Sequence, residues 1–438
     1  MGLKKSRTVT VAIAMAAVVA LAASACGSSD SSEDANGVTT LTVDVFGDQG
    51  FGYEALYEQY MRDHPEIKIV ERGKGLGLTD YNTRLTQWIT ANSGAGDIVA
   101  LEEGTITQFK AQAGNFVNLF DYGAASLEGN FLGWKWKQGQ TADGKQLLGL
   151  GTDIGSMAIC YRKDLFAKAG LPTDRDQVAA LWPTWSQFVE VGKQYAAKEQ
   201  GTKFVDAATS FYNTVLMQVA GSGTGYTYFN TSNKLVIDSN PDIKSAWDTT
   251  VSMINAGLSA NLRSFSDAWN TGFKQAQFAT IGCPAWMTGV INGQAGPEAS
   301  GKWDIAKPPA TGGNWGGSFL AVPKQSKHAK EAAELAKFLT GTAGQVEAFK
   351  KLGNLPSNPA ALEDPAVKEA KNDYFSGAPT GQIFGASATS LKPVYLGSKN
   401  QAVRDEVENA LRSIEQKQAT PDQAWSTAVK NGNSAGKE

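Results

Sequence analysis

The stretch "GGNWGGSFLAVPKQSKHAKEAAELAKFLTG", residues 312–341, combines a glycine-rich bend, an apolar strand and an amphipathic helix. Trp315 stands among four glycines at the start of this stretch. Glycines mark places where the backbone bends or approaches another group closely, whereas a bulky ring normally needs neighbours to cover it. Trp315 therefore either plugs a core from a loop or offers a flat face to a ligand.

The second half of the stretch predicts a helix, because Ala332, Leu335, Ala336 and Leu339 share one face and Gly341 follows as a stop signal. Outside it, short apolar strands alternate with helices. "TTLTVDVFGDQG" reads as a strand and a loop, and "FGYEALYEQYMRDHPEIKIVERG" as a helix followed by a strand. This alternation predicts an α/β fold with crossover connections.

The first 26 residues have the layout of an export signal, with Lys4, Lys5 and Arg7 ahead of an apolar run and then small residues. The sequence "LAASAC" resembles a bacterial lipoprotein signal. We therefore expect residues 1–25 to be a signal peptide, Cys26 to be lipidated, and the polar segment 26–37 to be a flexible tether. Ordinary cleavage near Ala25, with an accidental cysteine, is the alternative.

Length and charge restrict the classes of function. A chain of 438 residues suits two domains. The net charge of −3 falls to about −6 once the three basic residues of the signal are removed, and without a basic stripe we expect no nucleic-acid partner. The two histidines form no cluster, so we expect neither a metal nor a cofactor. Cys160 and Cys283 could pair in an exported protein or remain buried thiols.

Three blocks, found in the same order in a known family, carry a resemblance. They are "CYRKDLFAKAGLPTD…WPTWSQFVEVGKQY", the glycine-rich stretch with its helix, and "GNLPSNPAAL". Together they resemble the carbohydrate-type extracellular solute-binding proteins of ABC importers, the class that includes maltose-binding protein. "CPAWMTG", the glycine-rich stretch and "FGASATSLKPVYLGSKNQAVRDEVENALRSIEQ" look most like actinobacterial proteins that bind cellobiose and cello-oligosaccharides.

The resemblance implies a two-lobed α/β fold of the periplasmic-binding-protein type II, with hinge strands and a ligand cleft between the lobes. It implies an oligosaccharide ligand, an ABC permease with a separate ATPase as partner, and a monomer held by its lipid anchor at the outer face of the cytoplasmic membrane. The implied segments are lobe 1 (38–153 and 318–352), lobe 2 (154–312 and 356–438) and the hinge crossings (313–317 and 353–355).

A pyranose offers an apolar C–H face and a rim of hydroxyls, so its site needs flat aromatic rings and planar polar groups. Trp269, Trp286, Trp303 and Trp315 fall in one window beside glycine or proline and are candidate stacking residues. Core packing is the alternative for each of them. It is most plain for Trp303, which could open a strand, and for Trp269, which could lie on a helix face.

Polar candidates come from predicted loops and strand ends. Glu102 and Glu103 end the strand "DIVALEE", and because strand residues alternate, one should face the cleft while the other is solvated. A solvated surface or loop-capping role is the alternative for any one of these polar residues. The remaining candidates are Asp48 and Gln49 in the loop after the first strand, Asp153, Tyr212 as a stacking residue of the second lobe, and Asn354.

A secreted glycosidase is the rival class, with Glu102, Glu103 and Asp153 as carboxylates for acid–base work. Adjacent strand residues point apart, however, and make a poor catalytic pair. The sequence also lacks an H-E-x-x-H helix, so we expect no enzyme. A same-fold binder of a polyamine or a metal ion is a second rival, and the aromatic residues near the expected cleft favour a sugar over both.

Overall fold

The structure is a computed structural model that describes residues 37–388 and 391–437. The predicted signal peptide, the lipidation site at Cys26 and all of the tether except Gly37 lie outside the described residues. Within those two ranges, no helix is both long enough and apolar enough to cross a bilayer.

The strands alternate with helices along the chain. In chain order they are β1 (Thr39–Asp44), β2 (Ile67–Arg72), β3 (Ile98–Glu102), β4 (Gly149–Gly151), β5 (Asp153–Ile154), β6 (Met157–Arg162), β7 (Lys203–Val205), β8 (Phe278–Pro284), β9 (Trp303–Ala306), β10 (Ser318–Ala321) and β11 (Leu355–Pro356).

The α-helices fill most of the chain between and after these strands. They are α1 (Glu54–Asp63), α2 (Leu78–Ala91), α3 (Glu103–Lys110), α4 (Gly133–Gly139), α5 (Lys163–Lys168), α6 (Arg175–Leu181), α7 (Trp185–Lys198), α8 (Ala208–Ser222), α9 (Pro241–Asn255), α10 (Asp267–Lys274), α11 (Met287–Ala295), α12 (Ala329–Thr340), α13 (Thr342–Leu352), α14 (Pro359–Glu363), α15 (Pro365–Lys368), α16 (Thr380–Ala388), α17 (Asn400–Glu415) and α18 (Pro421–Ala435).

The strands form two separate main sheets. In the first, the order is β2-β1-β3-β10-β4, with β1 parallel to β2 and β3, and with β10 antiparallel to both of its neighbours. In the second, the order is β7-β8-β6-β9, with β6 antiparallel to β8 and β9. The alternation seen in the sequence thus produces an α/β fold with two lobes, each built on its own sheet.

Local sequence signals explain where helices begin and which faces they bury. The Thr184 side chain accepts a hydrogen bond from the Gln187 N–H and so caps α7. In α12 the predicted face is buried, including Leu335 and Leu339, and Gly341 follows the last helical residue. The helix prediction for this segment is therefore confirmed, and its apolar face covers the first sheet as part of one core.

Segments that connect the two sheets lie side by side. Residues Leu355 and Pro356 of β11 pair with Ile154 and Asp153 of β5. The Trp315 N–H donates to the Gly155 carbonyl at 2.9 Å. A Cβ atom added to Gly155 would lie 1.8 Å from the Trp315 carbonyl oxygen, so only glycine allows the two segments to approach this closely.

The cysteines form a disulfide between two neighbouring strands of the second sheet. Cys160 on β6 is joined to Cys283 on β8, with their Cα atoms 5.4 Å apart. Both side chains are buried in a core that also contains Trp269 and Trp303. The bond therefore links strands that are distant in sequence inside one lobe and leaves the connections between the lobes unconstrained.

Candidate functional site

Polar side chains from both lobes meet around Trp315, where β10 enters the first sheet. They surround a cavity of about 20 Å³, which has room for about one water molecule. We call five of the lining residues the cleft wall: Glu102, Asn213, Trp315, Asn400 and Arg404.

Glu102 brings a carboxylate to the cleft wall from the first lobe. It is the last residue of β3 and caps α3, where one carboxylate oxygen accepts from the Gly104 N–H at 2.7 Å. Burial raises the pKa of Glu102 to about 7, the adjacent Glu103 carboxylate adds to the rise, and the charge of Arg404 opposes it. A carboxyl group with such a pKa changes its charge easily when its surroundings change.

Arg404 brings a guanidinium to the cleft wall from the second lobe, near the start of α17. Its Nε donates to the Glu408 carboxylate at 2.7 Å, which fixes the side chain. The Cζ atom lies 5.9 Å from the centroid of the Trp315 ring, a distance that suits a cation–π contact. Arg404 thus covers one side of the aromatic ring and presents a positive charge close to Glu102.

Two amide side chains complete the cleft wall. The Asn213 Nδ2 atom on α8 donates to the same Glu408 carboxylate at 2.8 Å, and the Asn400 Oδ1 atom accepts from the Thr227 hydroxyl at 2.8 Å. Each amide keeps one group that these bonds do not use, a carbonyl in Asn213 and an NH₂ in Asn400. An acceptor and a donor therefore stand beside a carboxylate, a guanidinium and an indole, as recognition of hydroxyl groups requires.

Two of the candidate tryptophans form a pair at the junction of the lobes. Trp315 is 8% exposed, and Trp286, which immediately precedes α11, is half-buried. The Trp286 indole N–H donates to the Trp315 carbonyl at 2.9 Å, and the ring centroids are 6.1 Å apart with an edge-to-face angle of 75°. The pair links the residue before α11 to the connecting segment. Trp315 is therefore covered by other side chains, but those side chains belong to the cleft and not to the core of one lobe.

Glu103 was expected to be solvated if Glu102 faced the cleft, and this expectation is wrong. The side chain is buried and accepts from the Asn314 amide at 2.8 and 2.9 Å, the Gln138 amide at 2.9 Å and the Gly316 N–H at 3.0 Å. Burial raises its pKa, while Lys135 and these donors act in the opposite direction. Glu103 also lines the small cavity, but its carboxylate is bound by these donors and ties α3 to the connecting segment.

Asp153 belongs to the same buried group. Its carboxylate accepts from the Thr152 hydroxyl at 2.6 Å and from the Ser318 N–H at 2.9 Å. Lys135, which is 0% exposed, lies with its Nζ 3.9 Å from the Phe319 ring centroid, and burial lowers its pKa. We call Glu103, Lys135, Asp153 and Asn314 the hinge layer, because they lie together beneath the cleft wall. Hydrogen bonds of Glu103, Asp153 and Asn314 hold the connecting segments, and Lys135 adds its positive charge.

Asp48 and Gln49 lie in the loop after β1, as predicted, and they contact the other lobe. The Gln49 Nε2 atom donates to the Gly289 carbonyl of α11 at 3.2 Å, and the Gln294 amide donates to the Asp48 carboxylate. We call these two hydrogen bonds the latch. In this structure they connect the rim of the first lobe to α11.

Three of the aromatic candidates lie in the core, which corrects their assignment as stacking residues. Tyr212 and Trp303 are 0% exposed, and Trp269 is 1% exposed. Tyr212 lies within α8, and its hydroxyl accepts from the Tyr228 hydroxyl at 3.2 Å. Trp269 donates its indole N–H to the buried Asp206 carboxylate at 2.7 Å. Rings so enclosed have no free face for a ligand in this structure.

Asn354 occupies the short segment between α13 and β11 and is half-buried, near the connecting segments but outside the cavity lining.

Sequence reasoning missed Arg404, Asn213 and Asn400. Arg404 and Asn400 lie on the strongly amphipathic α17, where polar residues usually indicate a solvated face. Among the described residues, no group of three or more His, Cys, Asp or Glu side chains could hold a metal ion.

The family model for bacterial extracellular solute-binding proteins matches residues 55–374 of the chain. Two relatives match over most of their length. A lactose-binding protein of Rhizobium radiobacter is 26% identical over 357 residues, which cover 78% of this chain and 79% of the relative. An arabinooligosaccharide-binding protein of Bacillus subtilis (strain 168) is 24% identical over 424 residues, which cover 92% and 94%.

Solved structures agree with the fold. An extracellular solute-binding protein of family 1 is 38% identical with a TM-score of 0.78, and the match covers 91% of this chain and 99% of that one. A binding protein from B. animalis subsp. lactis Bl-04 in complex with β-1,6-galactobiose has the same TM-score and 23% identity, with 91% and 98% covered. The two-lobed α/β fold with a cleft between the lobes is thus shared.

Proposed function

We propose that this chain, which belongs to the bacterial extracellular solute-binding proteins, captures an oligosaccharide in the cleft between its lobes for an ABC importer. The observation that carries the proposal is the meeting of the Trp315 ring, the Glu102 carboxylate and the Arg404 guanidinium, from separate segments, at one point between the lobes. A flat ring beside charged and amide groups suits a ligand with an apolar face and a rim of hydroxyls.

The proposed ligand class is supported by the relatives. The names of the two similar binding proteins refer to lactose and to arabino-oligosaccharides, and one of the structures that share the fold holds β-1,6-galactobiose. Within this class we propose cellobiose and cello-oligosaccharides as first choice. A β-1,4-linked glucose chain is flat and carries its hydroxyls around the rim, so its C–H faces are open to the Trp286 and Trp315 rings.

In the proposed mechanism the lobes open about the connecting segments and close on the sugar. The ligand favours closure only through contacts that it makes with both lobes at once, such as Glu102 on one side and Asn213, Asn400 and Arg404 on the other. We propose the boundaries stated from the sequence, namely lobe 1 at 38–153 and 318–352, lobe 2 at 154–312 and 356–438, and crossings at 313–317 and 353–355.

The loaded, closed form is proposed to dock on the transmembrane subunits of the permease, while a separate ATPase drives transport. We further propose that Cys26 carries the lipid that keeps the protein at the outer face of the cytoplasmic membrane, with 26–37 as the tether, and that the protein acts as a monomer. The layout of the first 26 residues and the polar composition that follows support the anchor.

We propose a binding protein and not an enzyme. The glycosidase alternative needs a pair of carboxyl groups that are free to exchange protons with substrate or water. Glu103 and Asp153 are buried and engaged by donors of the hinge layer, which leaves Glu102 without a partner carboxylate for such a reaction. The family and the similar proteins are also solute-binding proteins.

Isothermal titration of residues 37–438, which contain both sheets and their cores, tests the proposal. The titrants are cellobiose, cellotriose, maltose, xylobiose and chitobiose. Heat from the cello-sugars alone would support both the ligand class and the choice of sugar. Binding of another saccharide would keep the class and replace the choice, whereas a folded protein that binds none of them would contradict the proposed function.

A further inference from the structure

Phe265 is unusual among the described residues because it is a large apolar side chain that is 52% exposed. The other exposed large apolar residue is Val70, at 38%. Its backbone φ is +63°, in the left-handed region that glycine adopts readily and phenylalanine seldom does. The residue thus leaves about half of its surface in water and also carries a conformational cost. Such an outlier is a reason to look for a function.

The neighbouring residues hold this backbone in place. The Ser266 N–H donates to the Arg263 carbonyl at 3.1 Å, which closes a turn with Phe265 inside it. The Ser266 hydroxyl accepts from the Trp269 N–H at 3.3 Å and so caps α10. The turn is therefore fixed to the start of a helix, and the Phe265 ring has a defined position beside it.

The ring continues an aromatic row that begins in the cleft. The centroids of Phe265 and Trp286 are 6.3 Å apart, and the two planes are nearly parallel, at 29°. Trp286 in turn lies 6.1 Å from Trp315, which lines the cavity of the cleft wall. The buried Trp269 packs against the Phe265 end of this row, and the centroids of the two rings are 5.0 Å apart. Neighbouring aromatic rings thus extend from the connecting segments to the surface of the second lobe.

We propose that Phe265 is an outer stacking residue for a further sugar unit, so that the site selects ligands longer than a disaccharide. The inference rests on the proposed function and adds the length of the ligand to it. Phe265 lies next to Trp286 and its side chain is exposed, so a saccharide chain that contacts Trp286 can extend with its next unit against Phe265. A sugar C–H face would also cover the apolar ring that water now reaches.

The test compares saccharides of two, three and four units, from whichever series the wild-type protein binds, on wild type and on Phe265→Ala. We expect Phe265→Ala to bind the tri- and tetrasaccharide about tenfold more weakly and the disaccharide within about twofold of wild type. Val70→Ala is the matched control, because it removes the other exposed large apolar side chain from β2 of the first lobe. It should leave every affinity unchanged.

A second variant separates a ligand contact from a structural role. Phe265→Asn removes the ring and suits the left-handed backbone, so its melting temperature should equal or exceed that of wild type while affinity for the longer saccharides falls. Equal losses for all chain lengths, or no loss at all, would overturn the inference and leave the proposed function intact. A wild-type protein that binds no saccharide of any length would overturn both.

Discussion

Glu102 and Glu103 are consecutive residues, yet they belong to two regions that use polar groups in opposite ways. In the hinge layer, the Glu103 carboxylate accepts from amide and backbone donors on three sides, and it is buried. In the cleft wall, Glu102 accepts from one backbone N–H and otherwise faces a cavity. Groups that are satisfied internally hold the structure together, whereas groups with unused capacity are available to a ligand.

The largest effect is expected from breaking the hinge layer. Glu103→Ala leaves the Asn314 and Gln138 amides and the Lys135 ammonium buried without the carboxylate, so the free energy of unfolding should fall by about 3–5 kcal/mol. Urea denaturation followed by tryptophan fluorescence measures this. Glu102→Ala, the matched variant in the cleft wall, should lose less than half as much. Equal losses would contradict the division into two regions.

The next effect concerns the two tryptophans at the junction of the lobes and is expected in the affinity for saccharide. Trp315→Ala and Trp286→Ala should each weaken saccharide binding by about 1–3 kcal/mol, because each removes an aromatic surface at the junction of the lobes. Titration calorimetry on folded variants measures this. Trp303→Ala is the control: its ring is fully buried, so it should lower the free energy of unfolding and not affect the affinity of the folded fraction. Unchanged affinity in both cleft variants would contradict the site.

A smaller effect is expected from the latch, which tests whether closure is set by direct contacts between the lobes. In Gly293→Ala, the new Cβ would lie 2.3 Å from the Gln49 Nε2 atom, so the Gln49 side chain must move and its bond to Gly289 is lost. Saccharide affinity should fall by about 0.5–1.5 kcal/mol, the usual contribution of a hydrogen bond. In Gly114→Ala the new Cβ meets no atom within 4 Å, so affinity should not change.

The smallest effect concerns the pH dependence of the free energy of unfolding and tests the role of Glu102 in the cleft wall. Burial raises the pKa of Glu102 to about 7 from its ordinary value of 4.5, so between these pH values the folded protein binds the proton more strongly than the unfolded chain does. The free energy of unfolding should therefore fall as pH rises from about 4.5 to 7. Because Glu102 is only partly buried, the contribution should be about 1 kcal/mol or less.

Other buried carboxyl groups with raised pKa values, such as Asp206 at about 6, change stability in the same direction. The measurement is therefore the difference between wild type and Glu102→Gln, obtained from denaturation at pH 5 and at pH 7.5. The variant should lose less stability than wild type over this interval. An identical change in both proteins would show that Glu102 does not contribute.

Much of the fold could be predicted from the sequence, because it depends on local patterns. The apolar face and the glycine stop of α12 are visible in its residues, and the structure confirms them. The position of Trp315 among glycines correctly indicated an unusual close approach of the backbone. Such features follow from periodicity and from the steric freedom of glycine, which a single sequence displays directly.

The site was less predictable, because it depends on which residues become neighbours in space. The expectation that one of Glu102 and Glu103 is solvated failed where the strand ends: Glu103 is already the first residue of α3, and its side chain is buried against the connecting segment. Trp269 and Trp303 look like Trp286 in sequence, since each is a tryptophan near glycine or proline, but they cover the core. Arg404 resembles a solvated helix residue until the lobes are assembled.

The place of β10 within the first sheet affects the order in which the two lobes can fold while the chain is being synthesised. This strand lies between β3 and β4 in the sheet. In the chain, however, its first residue, Ser318, comes 165 residues after Asp153, which closely follows β4. Until it has been synthesised, the inner edges of β3 and β4 have no hydrogen-bonding partners. The lobe that begins first is therefore finished late, after most of the second lobe has been made, and pairings over such distances form slowly. The N-terminal half of a growing chain thus stays without a complete sheet for much of its synthesis.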